Sequence, residues 1–353
     1  AELCKRGADA LGQALALTES TNRYELADFS EYNDIFLLHN SSGKLNGVKE
    51  SIFMENIKDY SGRWRWNMVN DFRPQSIEYS GIKCYPTANY VNYYGMQNGY
   101  PINDMTKADA ESGYDPTHPW KNRDPRFYKT IMFDGVKWKS TGGAGGTAEL
   151  FTGGRESEEA NEKKGCFTAY MNSKLCPQLM NTVDGYKENN IMILSLMRLA
   201  DVYLMYAEAT AVGYNGPKSK AATYSLTAEE ALNKIRERAG VAPVLDKFLG
   251  STADFLSELR RERAVELSFE GFRFIDLRRW MLLTQYPYTL KTKIEFDRAD
   301  PSDYNYDEPE ENAIKNLREV VLLERKYTDR HYWYPLPKKD VSMYEGFYQN
   351  PGW

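Results

Sequence analysis

Between Glu258 and Arg279 the chain packs six arginines and five carboxylates into a stretch that also reads as a helix. Leu256, Leu259 and Leu267 lie near one face, and Glu258, Glu262, Glu266 and Glu270 recur four apart, one helical turn each. A helix with an apolar face and charge of both signs restricts what the chain can become. A nucleic-acid surface would be biased to one sign. A buried guanidinium without a counter-charge costs several kcal/mol, so the segment predicts an internal ion network. Arg263 sits on the leucine face with Glu266 one turn on, which suggests that these two pair. The cluster is read as structural bracing, not as a catalytic centre.

The segments before it have the same helical texture. In Leu196–Val212, Leu199, Tyr203, Tyr206 and Thr210 form one stripe, and Ala200, Leu204, Ala207 and Ala211 form the next. Two adjacent apolar stripes describe a helix buried between neighbours, with alanines permitting close approach. Gly213 and Gly216-Pro217 end it. Thr227 and Glu230 have capping-box spacing, Ala231, Ile235 and Ala239 form an apolar side, and Gly240 supplies the stop. A third helix is expected from Ala253 to Phe269. Short paired helices with alanine at the crossings point to tetratricopeptide-like packing, although no strict period of roughly 34 residues is present. Three zones follow: 1–60, a helix and a mixed segment ending a helical-repeat region; 61–190, irregular and rich in Tyr, Trp, Asn and Gly; and 191–353, strongly helical to about 280, then loops with short helices. The expected fold is mainly α, a helical framework with a loop-rich, ligand-bearing insertion and a few short strands.

At 353 residues the chain can bury a substantial core without disulfides. Its formal charge of −5 gives no global case for nucleic acid. No apolar run reaches the ~18 residues of a membrane helix; Ile191–Met197 is broken by Arg198 and Asp201. Glu2, Lys5 and Arg6 sit where a signal peptide would be apolar, and Leu3, Ala10, Ala14 and Leu17 recur at helical spacing. Residues 1–17 therefore read as the middle of a helix, with sequence expected upstream. Four cysteines are too few for a disulfide framework, and free thiols are the expectation, although a hairpin could bring Cys166 to Cys176. The three histidines, His39, His118 and His331, are far apart and no C-x-x-C occurs, so no zinc site is expected.

Other signatures fail on context. Gly143–Ala148 (GAGGTA) fits a loose G-x-G-x-x-A, but ELFTGGRES follows and leaves no room for the helix a dinucleotide needs. P-loop, H-E-x-x-H and G-x-S-x-G patterns are absent. The acidic run Asp297, Asp300, Asp303, Asp307 and Glu308 lacks the EF-hand pattern and reads as a solvated loop. Asp134-Gly135 in YKTIMFDGVKWKS is a hairpin signal, and Thr141–Gly154, with six glycines, reads as a mobile loop. No cofactor is expected.

The remaining oddity is aromatic: 7 Trp, 26 Tyr and 15 Phe make 14% of the chain. Trp64 and Trp66 lie in SGRWRWN, followed by Tyr79, Tyr85, Tyr90, Tyr93 and Tyr94 interleaved with Asn and Ser, without helical or strand periodicity. Rings on loops beside amides and guanidiniums suit a sugar, whose C–H faces stack on π-faces while its hydroxyls need polar partners. The candidate ligand-binding set is Trp64, Trp66, Tyr79, Tyr85 and Tyr90 for stacking, with Arg65, Asn67 and Asn89 for hydroxyls.

Four segments together resemble one family. MRLADVYLMYAEA (Met197–Ala209), ALNKIRERAGV (Ala231–Val241), RRERAVELSFEGFRFIDLRRW (Arg260–Trp280) and the ending YPLPKKDVSMYEGFYQNPGW resemble, in order, motifs of the SusD/RagB-like nutrient-binding proteins. DPRF (Asp124–Phe127) and KESIF (Lys49–Phe53) are weaker echoes. The resemblance implies a non-enzymatic, lipid-anchored protein of the outer-membrane surface. It also implies capture of a complex carbohydrate, or in some members a peptide, for a TonB-dependent SusC-like transporter barrel. Members usually begin with a lipobox cysteine; Cys4 lies within a helical pattern, so the anchor is expected upstream. Ligand residues vary among members, so none carries over by motif. A glycoside hydrolase, or a transporter lid with no ligand of its own, are the other readings.

Overall fold

A computed structural model describes residues 1–38, 47–54, 85–140, 144–160, 165–175 and 191–353. In chain order the described α-helices are α1 (Glu2–Thr21), α2 (Ala88–Val91), α3 (Pro125–Thr130), α4 (Leu199–Gly213), α5 (Ala228–Ala239), α6 (Thr252–Glu266), α7 (Phe272–Arg279) and α8 (Lys338–Met343). The strands are β1 (Leu37–Leu38), β2 (Ser51–Met54), β3 (Ile131–Met132), β4 (Met171–Asn172), β5 (Ile191–Met192), β6 (Ser195–Arg198), β7 (Leu290–Arg298) and β8 (Ile314–Glu324). They pair antiparallel as β1–β5, β2–β6, β3–β4 and β7–β8. The framework is mainly helical.

Helix α4 is the axis of one layer. Its two apolar stripes are buried against α1, α5 and α6, with Ala200, Leu204, Tyr206, Ala207 and Ala211 wholly buried. Close approach of α1 depends on Gly12, where a Cβ would lie 2.6 Å from Thr223 Oγ1 and 2.9 Å from Tyr224 Cβ. Helix α5 starts at the expected capping box: Thr227 Oγ1 accepts from Glu230 N at 3.2 Å, and Glu230 Oε2 accepts from Thr227 N at 2.7 Å. Gly240 closes it at φ +73°. A second core is rich in rings: Tyr32, Phe36, Tyr94, Trp120, Phe127, Phe133, Trp138, Tyr170 and Phe296 are all buried. Phe133 stacks on Phe127 at 5.2 Å and lies 5.0 Å from Trp120.

Between the two cores runs the ion network that the Glu258–Arg279 stretch predicts. Glu262 accepts from Arg126 at 2.5 Å and from Arg236 at 2.9 Å. Glu266 accepts from Arg198, Arg238 and Arg126 at 2.6, 2.5 and 3.0 Å. Glu270 takes Lys174 at 2.7 Å and Arg198 at 2.8 Å, and Glu258 takes Arg236 and Arg261. Glu50, ahead of β2, binds Arg198 and Arg238 at 2.5 and 3.0 Å, and Asp124 binds Arg126 through both oxygens. Six cations (Arg126, Lys174, Arg198, Arg236, Arg238, Arg261) thus meet six carboxylates (Glu50, Asp124, Glu258, Glu262, Glu266, Glu270). Burial raises the Glu262 carboxyl, but Arg126 and Arg236 outweigh it and hold the group down to about 2; Glu266 is held well below the carboxylate range for the same reason.

Four local expectations change. Arg263 bonds Asp201 of α4 at 2.7 Å and Asp276 of α7 at 3.0 Å, not Glu266, which turns instead to β6 and α5. The chain does turn at Asp134-Gly135, but the flanks do not pair with each other: Ile131–Met132 joins β4, while Trp138 N donates to Gly146 O at 2.7 Å. The Asp134 carboxylate is engaged by Leu150 N and Arg298, which sets these partners. Thr147, Ala148 and Leu150 of the glycine-rich stretch are buried, so that part packs instead of forming a loose loop. The tail contains the long β7–β8 hairpin where loops and short helices were expected.

Glu266→Gln leaves buried guanidiniums underpaired and should cost about 3–5 kcal/mol of unfolding free energy in urea denaturation. Glu262 is depressed on folding from 4.5 to about 2, so its contribution is complete above pH 4.5 and is lost as pH falls through about 2. Denaturation midpoints measured against pH should fall over that window, and Glu262→Gln should flatten the fall.

Candidate functional site

Helix α2 lies along β7, and the turn Asn92–Tyr94 that follows it packs on α6. Asn89 fixes this contact: its backbone N–H donates to Thr292 Oγ1 and its Nδ2 to Leu290 O, both at 2.9 Å. Arg261 reaches across from α6. It is anchored by Glu258 and donates to Tyr93 O at 3.1 Å and Gly99 O at 2.9 Å. The chain passes over that guanidinium at Gly95, with φ +42°, where a Cβ would lie 2.6 Å from both Arg261 Nη1 and Tyr100 O.

These contacts frame a cleft enclosing about 1140 Å3, part of it open to solvent. Its polar groups are the amides of Asn89, Asn92 and Asn103, the Arg261 guanidinium, the Thr292 hydroxyl and the Glu319 carboxylate. Thr292 Oγ1 donates to Glu319 at 2.6 Å, tying β7 to β8 under the cleft. The rings are Tyr93 and Tyr286, the latter 76% exposed. Burial raises the Tyr93 hydroxyl, so it stays a neutral donor at physiological pH. Amides, a guanidinium and half-open rings can bond hydroxyls and stack on apolar faces.

Of the residues singled out from the sequence, Trp64, Arg65, Trp66, Asn67 and Tyr79 lie outside the described residues. Asn89 lines the cleft. Tyr90 lies beneath: its hydroxyl donates to Ala264 O at 2.6 Å, and its ring meets Tyr93 edge-on and Phe269. Tyr85 is half-buried against Phe167, away from the cleft lining. Asn92, Asn103, Tyr286, Thr292 and Glu319 were not singled out, because the cleft forms only when the β7–β8 hairpin folds beside α2. The alternation Thr292, Ile294, Phe296 was the available signal for that hairpin. Cys166 is a buried free thiol donating to Tyr170 O, and Cys176 lies outside the described residues. In the acidic run, Asp300 caps Ser302 N at 2.9 Å; among the described residues no group of His, Cys, Asp or Glu could hold a metal ion. No described helix is long and apolar enough to cross a membrane.

Residues 49–353 match the model of the SusD family. No curated protein matches the chain. A SusD-like protein from Bacteroides fragilis superposes with a TM-score of 0.72 at 22% identity, over 99% of this chain and 62% of that one. A SusD-like carbohydrate-binding protein from the same species gives 0.61 at 19% identity, over 96% and 60%. A SusD superfamily protein from Parabacteroides distasonis gives 0.52 at 18%, over 99% and 58%. At such identities the likeness speaks for the fold. The chain spans about three fifths of the length of these structures.

Asn89→Ala removes the side-chain bond to the Leu290 carbonyl and should cost about 1 kcal/mol. Hydrogen exchange should show the loss at the start of β7, with the amides of α4 unaffected.

Proposed function

This chain belongs to the SusD family, and we propose that it captures a complex carbohydrate at the cell surface, without turnover, and passes it to a SusC-like TonB-dependent transporter barrel. The observation that carries the proposal is the cleft: three asparagine amides and a guanidinium held from behind, beside two tyrosine rings. This is the polar and apolar mixture a pyranose needs. Tyr93 and Tyr286 would stack the sugar here, with Asn89, Asn92 and Asn103 on its hydroxyls. Trp64, Trp66 and Tyr79 remain stacking candidates, and Arg65 and Asn67 hydroxyl partners, from the sequence. One of the structural relatives is by name a carbohydrate-binding protein, which agrees with this reading. A glycosidase places two carboxylates about 5–10 Å apart across the scissile bond. Among the described residues that line the cleft, Glu319 is the lone carboxylate, and the Thr292 hydroxyl already bonds to it. Lipid anchoring in the outer membrane is part of the proposal and follows from the family resemblance.

Affinity gel electrophoresis against a panel of polysaccharides tests this reading. At least one glycan should retard the chain without releasing reducing sugar. Tyr286→Ala should weaken that retardation about tenfold, the scale of one stacked ring. Its melting temperature should stay near wild type, because the side chain is largely exposed. Retardation by none of the glycans, with calorimetric binding of mixed oligopeptides, would replace the sugar by a peptide.

A further inference from the structure

Arg123 is satisfied by the carbonyls of Val91, Gly95 and Pro119, but most buried cations among the described residues are matched to carboxylates. The six-against-six network is one case. Arg263 with Asp201 and Asp276 is another, as are Arg298 with Asp134 and Lys293 with Glu295 and Glu158. Three cations beside the cleft, reached through the ring of Tyr93, have no carboxylate partner among the described residues. Lys291 lies on β7 between the cleft residues Leu290 and Thr292 without lining the cleft itself; it is half-buried, and its side chain has no hydrogen bond or ion pair among the described residues. Arg273 donates to Arg260 O at 3.5 Å and otherwise lies against rings, 4.8 Å from the centre of Tyr93 and 5.5 Å from Tyr288. Arg325, whose N–H joins Thr289 O across the hairpin, reaches the Tyr327 hydroxyl at 3.1 Å. The nearby carboxylates of β8 do not compensate: Glu319 is bonded by Thr292, and Glu324, opposite Leu290, pairs with none of the three.

We propose that Arg273, Lys291 and Arg325 form an anion-binding subsite at the Tyr93 edge of the cleft, taking the carboxylate or sulfate ester of an acidic sugar. The proposal rests on the glycan reading and narrows it to charged glycans. Two guanidiniums and an ammonium around tyrosine rings offer several charge-assisted donors beside a stacking face. Partial burial keeps Lys291 and Arg273 from being screened as fully exposed charges are, while Arg325 is exposed. Burial, reinforced by Arg325 and Arg273, pushes the Lys291 amine down to about 8, so its charged form lacks the counter-charge that a ligand would bring.

The test follows the Lys291 side chain by NMR of the chain labelled at lysine Cε, the signal being assigned by its loss in Lys291→Met. Alone, Lys291 should titrate near pH 8. Glucuronate or inorganic sulfate at millimolar concentration should move that titration upward, and glucose should not. A response to glucuronate alone assigns a carboxylate, and to sulfate alone a sulfate ester. In calorimetry an acidic oligosaccharide should bind about tenfold tighter than its carboxyl-reduced or desulfated counterpart. Arg325→Gln, on an exposed side chain outside both cores, should shrink that difference. A Lys291 titration unmoved by either anion overturns the subsite. So does equal affinity for acidic and neutral oligosaccharides, which leaves the glycan reading intact. Binding of neither kind removes the glycan reading itself, and with it the sugar assignment.

Discussion

A carboxylate taken out of water stays ionised only beside positive charge, and α6 carries three on one edge with a fourth following its end. This constraint organises the molecule. Each of Glu258, Glu262, Glu266 and Glu270 is met by cations from other segments: Arg126 of α3, Lys174 after β4, Arg198 of β6, and Arg236 and Arg238 of α5. Those segments are far apart in the chain. Their positions are fixed by partner geometry as much as by packing. Because most of these arginines bond two or three carboxylates, the network has few alternative pairings, and it joins the helical layer to the ring-built core in one register.

Much of this was legible because its signals are local. The capping box at Thr227 and Glu230, the stop at Gly240 and the twin stripes of α4 are short-range patterns with short-range causes. That the Glu258–Arg279 charges would pair internally was also readable from their mixture of sign and their neighbouring leucines. Which charges pair was not. Arg263 and Glu266 are helical neighbours, yet each faces a different element, a fact that appears only when α4, α5 and β6 are in place. The β7–β8 hairpin shows the opposite failure. Its period of two is visible in Thr292, Ile294, Phe296 and Arg298, but the intervening lysines and acids resemble a solvated tail. The cleft depended on that hairpin, so Tyr286 and Thr292 could not be placed from their local sequence.

The aromatic excess divides by environment. Trp120, Trp138, Tyr94 and Tyr170 fill a core under long connections, where a tyrosine can bury its ring and still bond its hydroxyl. Tyr94 does so through Ser268 and Thr130. Tyr93, its neighbour in sequence, emerges into the cleft, so one short turn supplies both a core ring and a surface ring. Ring count alone therefore says little about recognition; the path of the backbone between Val91 and Gly95 decides which rings a ligand can meet.

The hairpin's inward residues all belong to β7 apart from Ile314, while β8 beyond that residue faces outward along nearly its whole length. On β8 the cleft positions, Glu319 and Val321, thus stand apart from the ion network and from both cores, whereas Arg261 and Ile102 serve wall and interior together. Substitutions along β8 beyond Leu317 can accumulate without disturbing the ion network or either core. A lineage could retune what the cleft accepts through this strand while inheriting an unchanged scaffold.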